Sequence, residues 1–203
     1  MSAELVRTVT VTGSANVAAR ADRAVLSLGV QSRRPSAQSA MRGVDERAAA
    51  LIGALRDAGA LDDDLRTTGL SLWFDQTERE YQASYTVTVA VPADDVGRFV
   101  DAGAEVTGDE LTMNGVTFSI EDPAPLVAPL REVAVADAQA KARVLAAAAD
   151  CELGPVVTIV EGGGATTPVF KGGTGMRMAM AAPIEPGTEV LTLQVTATYE
   201  LVF

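Results

Sequence analysis

The alanine-rich stretch PLVAPLREVAVADAQAKARVLAAAADCELGP, residues 125–155, decides the fold. Alanine has the highest intrinsic helix propensity, and its small side chain lets a helix backbone lie close to the surface that it covers. The residues that recur at helical spacing are Leu126, Leu130, Val133, Ala140, Val144 and Ala147. The pattern predicts one long helix from Pro125 to Cys151, closed by Gly154-Pro155, that packs through this apolar set and contributes no catalytic group.

Upstream of this helix, alternation of apolar and polar residues predicts strands. Val9 and Val11 alternate with threonines in a first strand, which we expect the segment 13–16 (GSAN) to interrupt. A second strand covers residues 24–31. Ser36 is placed to cap a first helix, and Gly59 to end it.

Residues 66–92 predict a hairpin with a charged tip, ended by Pro92. Phe74 shares a face with Leu70 and Leu72, so we expect it in the core, while Trp73 fits either the core or an assembly contact. A second helix begins near Asp94, and a further strand spans residues 116–120.

The C-terminal half completes an α+β fold. Strands are predicted at 156–160 and, with strict alternation, at 191–201. Such alternation is typical of antiparallel sheets with one face in water, so we expect the order ββαββαβαββ with helices on one face. The chain, residues 1–203, is interpreted as a single domain, interrupted by an irregular loop at 161–188 that is rich in Gly, Pro and Met.

These elements, in this order, resemble the SIMPL-domain family, bacterial proteins known mainly as periplasmic or outer-membrane-associated stress and immunogenic proteins. The resemblance rests on patterns spread over nearly the whole chain. Among them are VTVTGSANV at 9–17, ADRAVLSLGV at 21–30, DLRTTGLSLWFD at 64–75, ADAQAKARVLAAAA at 136–149 and PIEPGTEVLTLQVTATYEL at 183–201. The resemblance implies an antiparallel sheet backed by helices and homo-oligomers shaped as rings or cages. It implies a link to oxidative or envelope stress and brings no catalytic residues.

Charge and composition restrict the partners. A net charge of −11 repels nucleic acid and anionic lipid, so neither is expected as a partner. No apolar run is long enough to span a membrane. Residues 1–12 lack the features of a secretory signal, so we expect a cytoplasmic protein, or a periplasmic one if an export signal precedes this sequence.

The sequence offers few groups for catalysis and no cofactor site. Histidine is absent, which removes His-based nucleophile systems and metal sites. Carboxylates cluster at 62–64, 94–95, 109–110 and 121–122, where we expect them to cap turns and helices; a calcium site at 62–64 is the alternative. Cys151 is expected to be buried, with a redox-sensing thiol as the alternative.

The loop at 161–188 contains the remaining candidates. Its glycines lack the spacing and the following helix of a phosphate-binding loop. Met176, Met178 and Met180, together with Phe170, are predicted oligomer contacts. Alternatively, the three methionines bind Cu(I) or absorb oxidant. We therefore expect a non-enzymatic homo-oligomer that protects against stress, with metal or oxidant handling, or an enzyme with an unrecognised site, as alternatives.

Overall fold

The computed structural model describes residues 7–162 and 185–203, which form seven strands and three α-helices. The elements are β1 Thr8–Arg20, β2 Arg23–Arg34, α1 Ala37–Asp57, β3 Leu65–Asp75, β4 Glu80–Pro92, α2 Val96–Thr107, β5 Leu111–Ser119, α3 Ala124–Ala148, β6 Glu152–Glu161 and β7 Thr188–Val202. This order confirms the predicted ββαββαβαββ arrangement. None of these three helices has the length and hydropathy needed to cross a bilayer.

The elements fall into two compact units. In the first, β1, β7 and β6 form a three-stranded antiparallel sheet in that order, and α3 packs on it. In the second, four antiparallel strands lie in the order β3-β4-β2-β5, and α1 and α2 cover one face. The α+β prediction is confirmed, with two sheets.

Helix α3 packs through a stripe of small residues. The buried positions follow one another at intervals of four, and they are Leu130, Ala134, Ala138, Ala142 and Ala146. The predicted packing face was therefore wrong for most of its members, since Val133 is 56% exposed and Val144 is 69% exposed. The prediction placed the buried face at the larger valines because they are more hydrophobic. The close contact between α3 and a strand instead leaves room only for the smallest side chains.

That close contact occurs at Gly13 in β1. A Cβ atom built there would lie 2.0 Å from the carbonyl oxygen of Ala134 and 2.5 Å from the backbone nitrogen of Ala138. The expected interruption at 13–16 was wrong, because β1 continues through this segment to Arg20. Gly13 is needed for the contact with the helix, and it does not end the strand.

The second unit has the larger core. Ser36 caps α1 as predicted: its side chain accepts a hydrogen bond from the Ser39 backbone nitrogen, and the Ser39 side chain accepts one from the Ser36 backbone nitrogen. The helix then buries Val44, Leu51 and Leu55 against the sheet. Gly59, with a φ of 106°, follows its end as expected.

Candidate functional site

The predicted loop contacts, Phe170, Met176, Met178 and Met180, lie outside the described residues. Oligomer contact, Cu(I) binding and oxidant capture at these positions therefore stay predictions. Cys151, which precedes β6, is buried as expected, and its thiol donates to the carbonyl oxygen of Ala149 at 3.2 Å.

The carboxylates of the acidic clusters pair mainly with arginine side chains. Asp62 accepts a hydrogen bond from Arg56, and Asp64 accepts one from Arg23 at 2.5 Å. Asp122 shows the expected capping contact, accepting from the backbone nitrogen of Ala124 at 3.1 Å. Over residues 7–162 and 185–203, no three acidic, Cys or His side chains converge as a metal site would require, the 62–64 cluster included.

A groove between α1 and α2 in the second unit has a volume of about 960 Å³. Small residues and a few charged side chains line it, among them Gly53, Gly97, Arg98, Asp101 and Glu105. Arg98 already pairs with Asp95 at 2.8 Å. The groove is an open surface feature between the two helices.

The edge strand β6 exposes apolar side chains on both faces. Val156, Val157, Ile159 and Val160 are between 48% and 59% exposed, although valine and isoleucine are usually buried. β6 is the last strand of its sheet, and no other strand among residues 7–162 and 185–203 pairs with its outer edge. An edge of this kind is suited to pairing with another strand.

Helix α3 leaves this strand largely uncovered, since it lies mainly over β1 and β7. Its one described side-chain bond to β6 is at the far end, where Arg131 donates two hydrogen bonds to Glu161, at 2.8 and 3.0 Å. The hydrogen bond from Arg131 lowers the pKa of Glu161, and the same bond raises the pKa of Arg131. The pair holds α3 to the end of β6, and the apolar middle of the strand stays open.

The opposite edge of this sheet, β1, is closed by α3. The backbone nitrogen of Ser14 donates to Asp137 Oδ2 at 2.8 Å, and Lys141 Nζ donates to the carbonyl oxygen of Thr12 at 3.0 Å. Lys141 also donates to Asp137 at 2.7 Å. The hydrogen bonds from Lys141 and from the Ser14 backbone lower the pKa of Asp137. We call Asp137 and Lys141 the edge clamp, because they occupy backbone groups that a further strand would need.

The edge strand β3 of the second unit is the other apolar edge. Leu70, Leu72 and Phe74 are 42–56% exposed, and Trp73 is 43% exposed. The prediction that Phe74 lies in the core was wrong. Its ring packs on Tyr81 with a centroid distance of 5.0 Å, but α1 covers the inner strands and makes little contact with β3. Alternation correctly predicted the shared face of these residues, and it could not show how far across the sheet the helix extends.

The remaining edge, β5, is interrupted. Its register with β2 shifts between Ser27 and Leu28, next to Gly115, whose φ is 155°. A bulge of this kind disturbs the regular spacing of backbone groups and discourages further pairing. Across the two sheets, β3 and β6 are therefore the edges with the most exposed apolar side chains, although each also has a register shift near its start.

Comparison with known proteins agrees with this fold. Two relatives, each named "26 kDa periplasmic immunogenic protein", come from Brucella melitensis biotype 1 and from Brucella abortus strain S19. Each is 29% identical to this chain over 95% of its length and 84% of the relative's length. Residues 9–199 match the family model SIMPL, described as "Protein of unknown function (DUF541)". The chain is therefore a member of the SIMPL family.

Proposed function

We propose that this protein acts as a non-enzymatic homo-oligomer whose subunits join through sheet edges. The observation that carries the proposal is the pair of apolar edge strands, β6 and β3, with half-exposed side chains. Exposed apolar edges promote aggregation unless a partner covers them, and soluble proteins normally protect them. The edge clamp on β1 is such protection. The described residues place no such contact on β6 or β3, which favours a use for those two strands.

Two separate edges that can each bind another subunit favour assemblies larger than a dimer. A chain with one self-complementary edge forms a pair and stops, whereas a chain with two can bind a neighbour at each. Repetition of both contacts gives closed rings or cages when the rotation between subunits closes. This reasoning supports the ring- or cage-like assembly that the family resemblance implies.

Size-exclusion chromatography with light scattering tests the proposal on the full chain. We expect a discrete mass of several times 21.0 kDa at micromolar concentration, because both apolar edges then find partners. A monomer of 21.0 kDa under these conditions would contradict the proposal. A broad distribution that grows with time would also contradict it, since unprotected edges would then simply aggregate.

The cellular role belongs to the same proposal. The two relatives are named as periplasmic proteins, which supports a location in the cell envelope and a protective role there. Two measurements test this role: fractionation of cells that express the protein from its own gene, and survival of a deletion strain under peroxide. A protein confined to the cytoplasm and a deletion strain with unchanged survival would contradict the envelope and stress parts. Those results would leave the proposed homo-oligomer intact.

A further inference from the structure

We infer that two copies of this chain pair through β6, antiparallel and about a two-fold axis that passes beside Ile159. The inference rests on the proposed homo-oligomer and names one of its contacts. Pairing would join two three-stranded sheets into one sheet of order β1-β7-β6-β6-β7-β1.

The first half of β6 cannot take part in a regular ladder. Pro155 has no N–H group to donate, and the register with β7 shifts between Leu153 and Val156 and again between Val156 and Thr158. From Thr158 to Glu161, the strand is regular. A second strand can therefore add only along this short segment.

Within the segment, the faces of the strand require the two-fold axis to pass beside a residue. Ile159 lies opposite Ala197, on the face that α3 covers, while Thr158 and Val160 lie opposite Thr198 and Thr196. In an antiparallel pair, residues directly opposite each other point to the same face. A two-fold axis at Ile159 places Ile159 against its own copy and Thr158 against Val160, so that every side chain meets one on its own face.

Charge and side-chain pairing distinguish this register from its neighbour. With the axis at Ile159, the Glu161 residues of the two copies lie about 14 Å apart along the strands. With the axis at Val160, the separation falls to about 7 Å, within the screening length of about 8 Å at physiological salt. Arg131 donates two hydrogen bonds to each Glu161 and offsets part of this repulsion. The register at Ile159 is favoured mainly because it places the two isoleucines opposite each other, whereas an axis at Val160 places Ile159 opposite Glu161.

The edge clamp hinders the addition of a further copy at the centre of β1. Each end of the joined sheet is a β1 strand, where Asp137 and Lys141 already occupy the backbone groups of Ser14 and Thr12. A third copy that paired across Thr12 and Ser14 would have to break these hydrogen bonds. The apolar edge β3 in the other unit remains for the second type of contact.

Disulfide crosslinking tests the axis directly. In a chain whose single cysteine is removed by Cys151→Ala, the variant Ile159→Cys carries one thiol at the proposed axis. Opposite residues in an antiparallel pair have Cα atoms about 4.5 to 5.5 Å apart, a distance that a disulfide spans. We expect mild oxidation to convert most of this variant into a covalent dimer on a non-reducing gel.

The same background carrying Leu72→Cys in β3 separates the alternatives. If β6 of one copy pairs with β3 of the next, neither variant crosslinks alone and a mixture of the two crosslinks. That result would overturn the inference and leave the homo-oligomer intact. Failure of Ile159→Cys to crosslink while the protein keeps its oligomeric mass would have the same meaning. A monomeric wild type would overturn the inference and the proposed function together.

Charge substitution provides an independent readout. Ile159→Lys places two ammonium groups opposite each other at the axis, and we expect the mass of the assembly to fall by about twofold or more. Val144→Lys is the matched control, because Val144 is 69% exposed on α3 and lies in the same unit. An Ile159→Lys variant that folds, by circular dichroism, and keeps the wild-type mass would overturn the inference.

Discussion

At the scale of single residues, Gly13 sets how closely α3 can approach its sheet. An added Cβ would lie 2.0 Å from the Ala134 carbonyl oxygen and 2.8 Å from the Ala138 Cβ, and the nearer atom belongs to helix backbone that cannot swing aside. We expect Gly13→Ala to lower the free energy of unfolding by about 3 kcal/mol, the upper range for overpacking. Urea unfolding at one fixed protein concentration measures it.

The control for this prediction is Gly53→Ala in α1. A Cβ at Gly53 meets no atom within 4 Å, and the residue lies inside a helix. Alanine there should raise the free energy of unfolding by about 0.5–1 kcal/mol. If Gly13→Ala unfolded at the same urea concentration as the wild type, the close approach of α3 to β1 would be wrong.

At the scale of elements, the edge clamp makes the bond between α3 and β1 sensitive to acid. The pKa of Asp137 is lowered in the folded state by Lys141 and by the Ser14 amide. Stability from a lowered carboxylate pKa is present above the unfolded value, about 3.9 for Asp, and disappears as the pH falls through the folded value. The stability difference between wild type and Asp137→Asn should therefore be largest above about pH 5 and shrink in more acidic solution.

Unfolding midpoints of both proteins across this pH range check the prediction. Asp101→Asn in α2 controls for the loss of one negative charge, because Asp101 is exposed on a helix of the other unit. A wild-type advantage over Asp137→Asn that grows as the pH falls would show that the clamp carboxylate is not stabilised in its ionised form.

Elements were easier to predict from sequence than their contacts. Ser36 and Gly59 predict the ends of α1, because capping and left-handed turns depend on a few neighbouring residues. The buried face of α3 was mispredicted because Val133 and Val144 are the more hydrophobic candidates, whereas the nearby strand leaves room only for alanine. Likewise, Gly13 fits a turn in local pattern, and its actual role depends on a helix more than 100 residues away in the chain.

At the scale of the whole molecule, the net charge of −11 opposes both folding and assembly. Salt screens such repulsion, since the Debye length falls from about 30 Å at 0.01 M to about 3 Å at 1 M. We therefore expect added salt over this range to raise the thermal unfolding midpoint and the fraction of assembled protein. NaCl and KCl should act equally, because screening depends on ionic strength. A midpoint that falls with added salt would contradict the prediction.

The candidate site could be predicted only in part at this scale. The sequence predicts homo-oligomers, but alternation gives no strand order, so β3 and β6 could not be identified as the edges. The edge clamp was also out of reach, because Asp137 and Lys141 are spaced like an ordinary helical ion pair. Their hydrogen bonds to the backbone of β1 depend on the packing of α3 on that strand, which the sequence pattern does not contain.

Pro155 and the irregular register of β6 limit the open ladder to the four residues from Thr158 to Glu161. So short a ladder binds weakly by itself. In a closed ring, however, each subunit is held by two neighbours, and a contact that opens is still confined near its partner at a high effective concentration. Avidity would then hold the complete ring together, and on dilution it would separate directly into small units with few partial rings.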